Sequence, residues 1–229
     1  MNEQLRRSAA HVFVDDLDDV HLDDEDRHHL SSVLRLRRGE VVTCSDGRGR
    51  WLPARWNDGI EVTGAVNSVA PVARALSVAI APMKGDKAEL VVEKVVEIGI
   101  DQVVILAPTD HTVARWSPDR ALRQMARYRR IARSASMQSR RVFLPAVVGP
   151  VPLGDLLTDT PAFGTVGWAE PGGRADVADV DTLLVGPEGG WSAAELARAA
   201  TTVDLGATVL RAETAAIVGA ALMVAHRGR

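Results

Sequence analysis

The stretch LLVGPEGGWSAAE, residues 183–195, restricts the fold of this chain more than any other. A short apolar run ends in a loop holding Gly186, Gly189 and Gly190, and Ser192 with Glu195 three residues on has the pattern of a helix-capping box. Strand, glycine loop and capped helix in that order form a βα unit. Its backbone amides converge at the carboxyl end of a sheet, where open α/β folds bind ligands. The GK[ST] ending and the GxGxxG spacing are both missing, so the loop does not suggest a nucleoside triphosphate. A tight turn that needs glycine for its dihedrals alone would also account for it.

The same rhythm runs through the chain from Leu76 onward. LSVAIAP reads as a buried strand, and Asp86 with Glu89 caps a helix that Gly99 ends. Val103–Ala107 is the next strand, followed by a helix over 118–137, a less regular stretch around Phe143 and Leu144, a short helix at Leu153–Leu157 and a strand near Thr165–Trp168. After the 186–190 loop, Val203–Leu205 leads through Gly206 into LRAET and a helix, Ala215–Ala225, that is apolar on every side. Such a helix must be covered all round, inside the domain or by a second subunit. Alternating strands and helices predict an α/β domain with a mainly parallel sheet.

The first seventy residues differ. HVFV (11–14) is a short strand and Asp24–Leu36 a helical pattern. Val41–Ser45, Trp51–Trp56 and Ile60–Val66 are strand-like runs joined at Asp46-Gly47 and Asp58-Gly59, the dipeptides of tight hairpins. This is small-barrel material. With Pro71 as linker, the sequence predicts a barrel domain over 1–72 and an α/β domain over 73–229. At 229 residues, 46% hydrophobic and 25% charged, the chain has the composition of a globular protein with a sizeable core. Its longest apolar run, Ala215–Ala225, is well short of the roughly 18–20 residues that span a bilayer, so no membrane segment is expected. The opening MNEQLRRSAA lacks a signal core, and the single cysteine, Cys44, offers no disulfide and no cysteine metal cluster. A cytoplasmic protein is expected.

A net charge of −3 conceals two basic blocks. Residues 27–55 hold seven arginines against Glu40 and Asp46, and Arg115–Arg141 holds nine against Asp119 alone. In the second block Ser117-Pro118-Asp119 is a helix start. At about 100° per residue, Ala121, Met125, Tyr128, Ala132 and Ala135 share one face, while Arg120, Arg123, Arg127 and Arg130 share another. Four arginines with no interleaved acid repel one another unless a polyanion meets them, and guanidinium forks match phosphate oxygens. A solvated charged face is the plainer alternative.

Other chemistry-bearing residues are sparse. LGATVLRAETAA repeats the strand, glycine loop and helix order, so its loop and the 186–190 loop could wall one pocket. Arg211 and Glu213 would face that pocket or pair locally. Lys84 lies in the loop leaving the first strand of the α/β domain. His111 is a lone loop histidine, and the six histidines show no i,i+4 pairing that would suggest a metal. No Ser-His-Asp or Cys-His arrangement is legible.

HHLSSVLRLRRGE, KGDKAELVVEKVVEIG, LLVGPEGGW and LGATVLRAETAA, in that order, resemble the bacterial 16S ribosomal RNA uracil-N3 methyltransferases (RsmE type) of the SPOUT superfamily, and Met137–Arg141 is similar to that family's Gln-Ser segment. The resemblance implies a PUA-like β-barrel followed by an α/β domain with a parallel sheet and a C-terminal trefoil knot. It implies S-adenosylmethionine as methyl donor with no metal, a homodimer, and 16S rRNA of the small ribosomal subunit as partner. Carried over by position, Leu184, Gly186, Pro187, Glu188 and Gly189 would line the donor pocket with Leu205, Gly206, Val209, Leu210, Arg211, Thr214 and Ala215. Arg211 would stabilise charge on the uracil, with Glu188 and Glu213 as candidate proton acceptors. RNA would meet Arg35, Arg37, Arg38, Lys84, Arg120, Arg123, Arg127, Arg130, Gln138, Arg140 and Arg141. Ala207, Thr208 and Ala212 depart from the family's usual Pro-Arg pair and Thr. A ribose 2′-O-methyltransferase of the same fold and a non-catalytic rRNA-binding module remain open readings at this point.

Overall fold

The computed structural model describes residues 2–227, with only the backbone of residue 160. The chain divides into two compact units, 1–72 with 134–144, and 73–133 with 145–229. The break after residue 72 coincides with the composition change at Pro71. The return of 134–144 to the first unit does not follow the predicted division and has a packing cause. Met137 joins the apolar core of the first unit, and Val142 with Phe143 packs on Leu5 and Trp51.

In the first unit α1 (Glu3–Arg7) precedes β1 (Ala10–Phe13), α2 (Asp24–His28) and a π-helical turn at His29–Val33, so the predicted helix over 24–36 is shorter and changes pitch midway. The strands β2 (Val41–Ser45), β3 (Arg50–Trp56), β4 (Ile60–Val62) and β5 (Asn67–Ser68) follow. The sheet order is β1-β2-β3-β4, with β5 pairing the start of β3. β1 and β2 are parallel and the β2–β3 and β3–β4 pairs antiparallel. Val12, Leu30, Val42, Cys44, Leu52 and Ala54 form its core.

His11 pins the returning segment. Its ring is buried, Nδ1 lies 2.8 Å from Thr43 Oγ1, and Nε2 lies 2.9 Å from the Arg141 carbonyl oxygen. A carbonyl only accepts, so Nε2 carries the proton. Burial drives the pKa of His11 down to about 4, against the hydrogen bond to Arg141, and nearby Arg140 lowers it further.

The second unit is a six-stranded, wholly parallel sheet. In chain order it contains β6 (Ser77–Ile80), α3 (Lys87–Ile98), β7 (Gln102–Leu106), α4 (Pro118–Gln138), β8 (Ala146–Val151), α5 (Leu153–Thr158), α6 (Thr160–Phe163), β9 (Val166–Ala169), β10 (Thr182–Val185), α7 (Ala193–Leu196), β11 (Thr202–Val203) and α8 (Ala212–His226). The order β11-β9-β10-β6-β7-β8 places β10 between β6 and β9. β6 and β10 are buried along their whole length, as central parallel strands must be, and Pro150 sits on edge strand β8, where a missing N–H is tolerated.

Three local expectations meet the structure differently. Asp86 stands at the start of α3, but its side chain makes no capping hydrogen bond; Glu89 instead binds Arg127 at 2.7 Å. Ser192 and Glu195 do form a capping box, on a helix of only four residues. α8 begins at Ala212 and is covered on one side only. Ala215, Ala216, Gly219, Ala220 and Met223 are buried where the helix packs on α3 and β10, whereas Ala221 and Ala225 are exposed. Among the described residues no helix is long and apolar enough to cross a membrane.

Candidate functional site

The carboxyl ends of β9 and β10 open into one cavity of about 570 Å³. The loop after β10 contributes Gly186, Pro187, Glu188 and Gly190, and the approach to α8 contributes Val209, Leu210, Arg211 and Ala212. Two glycine loops, separated by a helix and a strand in sequence, therefore meet at one site. The sheet order explains why: β11, β9 and β10 are consecutive parallel strands, so the loops after β11 and β10 emerge at the same edge on either side of the end of β9. The size is that of a small-molecule pocket.

The wall is mostly apolar, from Val185, Pro187, Trp191, Val209, Leu210 and Ala215. Trp191 is held by Trp168, ring centroids 4.6 Å apart and edge to face. It leaves no room at residue 186, where a Cβ would sit 2.8 Å from the indole Cε2. Gly186 is thus needed for close approach. Its φ is not positive, so the turn-dihedral explanation fails at this residue. A second clasp comes from the loop after β7. His111 Nδ1 lies 3.2 Å from the carbonyl oxygens of Gly189 and Gly190, and the Ser192 hydroxyl lies 2.6 Å from Asp110.

The charged groups on the cavity are Glu170, Glu188, Lys87 and Arg211. Arg211 is exposed, and no hydrogen bond or ion pair holds its guanidinium among the described residues. Glu188 Oε1 accepts from the Lys84 backbone N–H at 3.4 Å and from Lys87 Nζ at 3.3 Å. Burial alone would raise the Glu188 carboxyl. Hydrogen bonds from its own and the Lys84 backbone N–H, together with Lys87, outweigh that and hold it below the usual carboxylate range.

Other expected residues stand elsewhere. Leu184 is buried inside the sheet, packed in the core beneath the cavity. Gly189 faces the His111 side, where a Cβ would lie 3.1 Å from His111 Cβ. Leu205 lines a small hollow beside the cavity with Thr208, while Gly206 and Thr214 line neither. Glu213 stands behind Lys87, 3.6 Å from its Nζ, and is not on the cavity wall. The sequence reading missed Ala169, Glu170 and Pro171, because only strand order puts the end of β9 beside that of β10. Lys87 and Trp191 were inside quoted motifs, KGDKAE and GPEGGW, yet nothing local marks either as a wall residue.

The basic residues also sort by geometry. Arg120, Arg123 and Arg130 are exposed on α4 with no ion pair among the described residues, whereas Arg127 is neutralised by Glu89. Met125, Tyr128, Ala132 and Ala135 are buried on the opposite face. Arg35, Arg37 and Gln138 are exposed, and Arg38 is exposed beside Asp58 at 3.5 Å. Lys84 is exposed. Arg140 is a structural residue of the first unit. Its guanidinium donates to the carbonyls of Met137, Gln138, Ser8 and Ala9, so it is not available as an open RNA contact. Arg141 is half-buried, and its carbonyl accepts from His11.

Residues 70–224 match the model of an RNA methyltransferase domain, and residues 22–55 that of an RNA methyltransferase PUA domain. Sheet, cavity and these matches together define an RNA methyltransferase preceded by a PUA domain. Ribosomal RNA small subunit methyltransferase E of Mycobacterium bovis is 31% identical over 234 residues, covering 92% of this chain and 89% of the relative. The protein of that name from Synechocystis sp. is 29% identical over 213 residues, covering 85% and 69%. Among solved structures, ribosomal RNA small subunit methyltransferase E from Neisseria gonorrhoeae, bound to S-adenosyl methionine, shares the fold with a TM-score of 0.78 at 23% identity, covering 93% of this chain and 96% of that one. The chain belongs to the ribosomal RNA small subunit methyltransferase E family.

Proposed function

We propose that this protein transfers a methyl group from S-adenosylmethionine to N3 of a uridine in 16S ribosomal RNA, in the cytoplasm and as a homodimer. The observation that carries the reading is the single cavity walled by both glycine loops, with the unpaired guanidinium of Arg211 at its edge. The residues fit the donor. A nucleoside-sized apolar wall with Trp191 suits an adenosine, and Glu170 and Glu188 suit its cationic end. When bound, S-adenosylmethionine supplies an electrophilic methyl group.

The protein's task is then to hold N3 in line and to accommodate the charge released as the imide proton leaves. Arg211 stays protonated and offers a fork to O2 and O4 of the uracil. Glu188, kept ionised on the wall, takes the proton through Oε2, since Oε1 is engaged by Lys84 and Lys87. Glu213 acts only through Lys87. The open arginines of α4, with Arg35, Arg37 and Arg38, hold RNA phosphates. The uncovered apolar side of α8 supports the dimer, since an apolar face of that kind is normally covered.

The test is S-adenosylmethionine binding by calorimetry on wild type and Gly186→Trp, followed by mass mapping of the methyl group on 16S rRNA and on assembled small subunits. Saturable binding lost in the variant, with the product methylated on a uracil base, is expected. A folded wild type that never binds the donor, alone or with RNA, sinks the reading, and methylation found on ribose replaces the base by the 2′-hydroxyl.

A further inference from the structure

Lys87 opens α3 and belongs to no expected site, yet among the described residues it is the one side chain that contacts both Glu188 and Glu213. Its Nζ lies 3.3 Å from Glu188 Oε1 and 3.6 Å from Glu213 Oε2. These three residues come from three separate segments: the 186–190 loop, the start of α3 and the start of α8. Glu213 is the demanding member. Its side chain is 14% exposed, and Oε2 is out of solvent with no hydrogen-bond partner. A buried carboxylate in that state needs a counter-charge, and the ammonium of Lys87 is the cation beside it. The other charged groups facing the cluster are Lys84, whose backbone N–H binds Glu188, and Arg211 and Glu170 across the cavity.

We propose that Lys87 is a positioning residue of the donor site: it neutralises Glu213 and, through Glu188, ties the 186–190 loop to the starts of α3 and α8. The proposal rests on the cavity being the S-adenosylmethionine site. A half-exposed ion pair contributes little to global stability, so the tie acts on the shape of the cavity instead. Without Lys87, an ionised Glu213 has no partner and the two walls it faces separate.

The experiment measures S-adenosylmethionine affinity at pH 8 for wild type, Lys87→Met and Lys87→Met/Glu213→Gln. Amide exchange of residues 186–190 in the ligand-free proteins is followed alongside. Lys87→Met is expected to bind about tenfold more weakly than wild type. The double variant recovers most of the loss at pH 8, and the loop amides exchange faster in Lys87→Met than in wild type. An unchanged affinity overturns the proposal. So does a loss that Glu213→Gln leaves in place, because Lys87 would then be a direct ligand contact. A wild type that binds no donor refutes the donor reading instead, and exchange alone then decides whether Lys87 ties the loop. If Lys87→Met does not fold, Glu188→Gln cuts the tie at its exposed end, and unchanged exchange at 186–190 in that variant overturns the proposal.

Discussion

Gly219 of α8 lies so close to Leu183 of β10 that a Cβ on residue 219 would overlap the leucine Cδ2. The helix is seated on the central strand by the absence of a side chain, about one turn beyond Ala215, the last of its residues that wall the cavity. Gly219→Val should therefore lift α8 from the sheet. Urea unfolding is expected to show a loss of about 1–3 kcal/mol, with donor affinity falling as well because Arg211 and Ala212 move with the helix. Wild-type stability and affinity together would show that the helix can slide without cost.

Arg211 should matter to turnover more than to donor binding. Arg211→Ala is expected to lower single-turnover methyl transfer about 100-fold, with S-adenosylmethionine affinity changed far less. Unchanged turnover with normal donor binding would remove this residue from the chemistry.

RNA affinity should depend on the three open arginines of α4. Replacing Arg120, Arg123 and Arg130 together by Gln is expected to weaken binding to 16S rRNA and to reduce the slope of log affinity against log salt by about 2–3. Arg127→Gln should do much less, because Glu89 already neutralises that guanidinium. Filter binding over a salt series distinguishes the two, and equal effects would mean that the Glu89 pair opens on RNA.

Acid should destabilise the first unit through His11. Its pKa is 6.5 in the unfolded chain and about 4 in the fold, so between these values the unfolded state binds more protons. Stability is then full above pH 6.5 and lost as pH falls towards 4, by up to about 3 kcal/mol. Thermal unfolding from pH 7 to pH 4 should show this fall in wild type and a flatter profile in His11→Gln. Parallel profiles would place the acid sensitivity elsewhere.

Much of this architecture was legible locally. The strands at 77–80, 102–106 and 182–185 announce themselves as apolar runs between glycine, proline and capping residues, and the α4 periodicity separates Met125 and Tyr128 from the arginines without reference to tertiary structure. What was illegible is non-local. Nothing near Glu170 reveals that β9 ends beside β10. Arg127 reads as an open cation until Glu89, 38 positions away, is placed beside it. Arg140 reads as an RNA contact until the carbonyls of Ser8 and Ala9 are seen to occupy it. The all-round apolarity of α8 says that the helix must be covered, not which side this chain covers and which is left to a partner.

The return of 134–144 to the first unit has a consequence for how the chain is made. During synthesis the amino-terminal unit lacks Met137, Val142 and the carbonyl partner of His11 until the ribosome has passed residue 144, by which time β6, α3, β7 and α4 have also been translated. The nascent first domain cannot complete its core as an early, independent step, and its closure is linked in time to the assembly of the first half of the second.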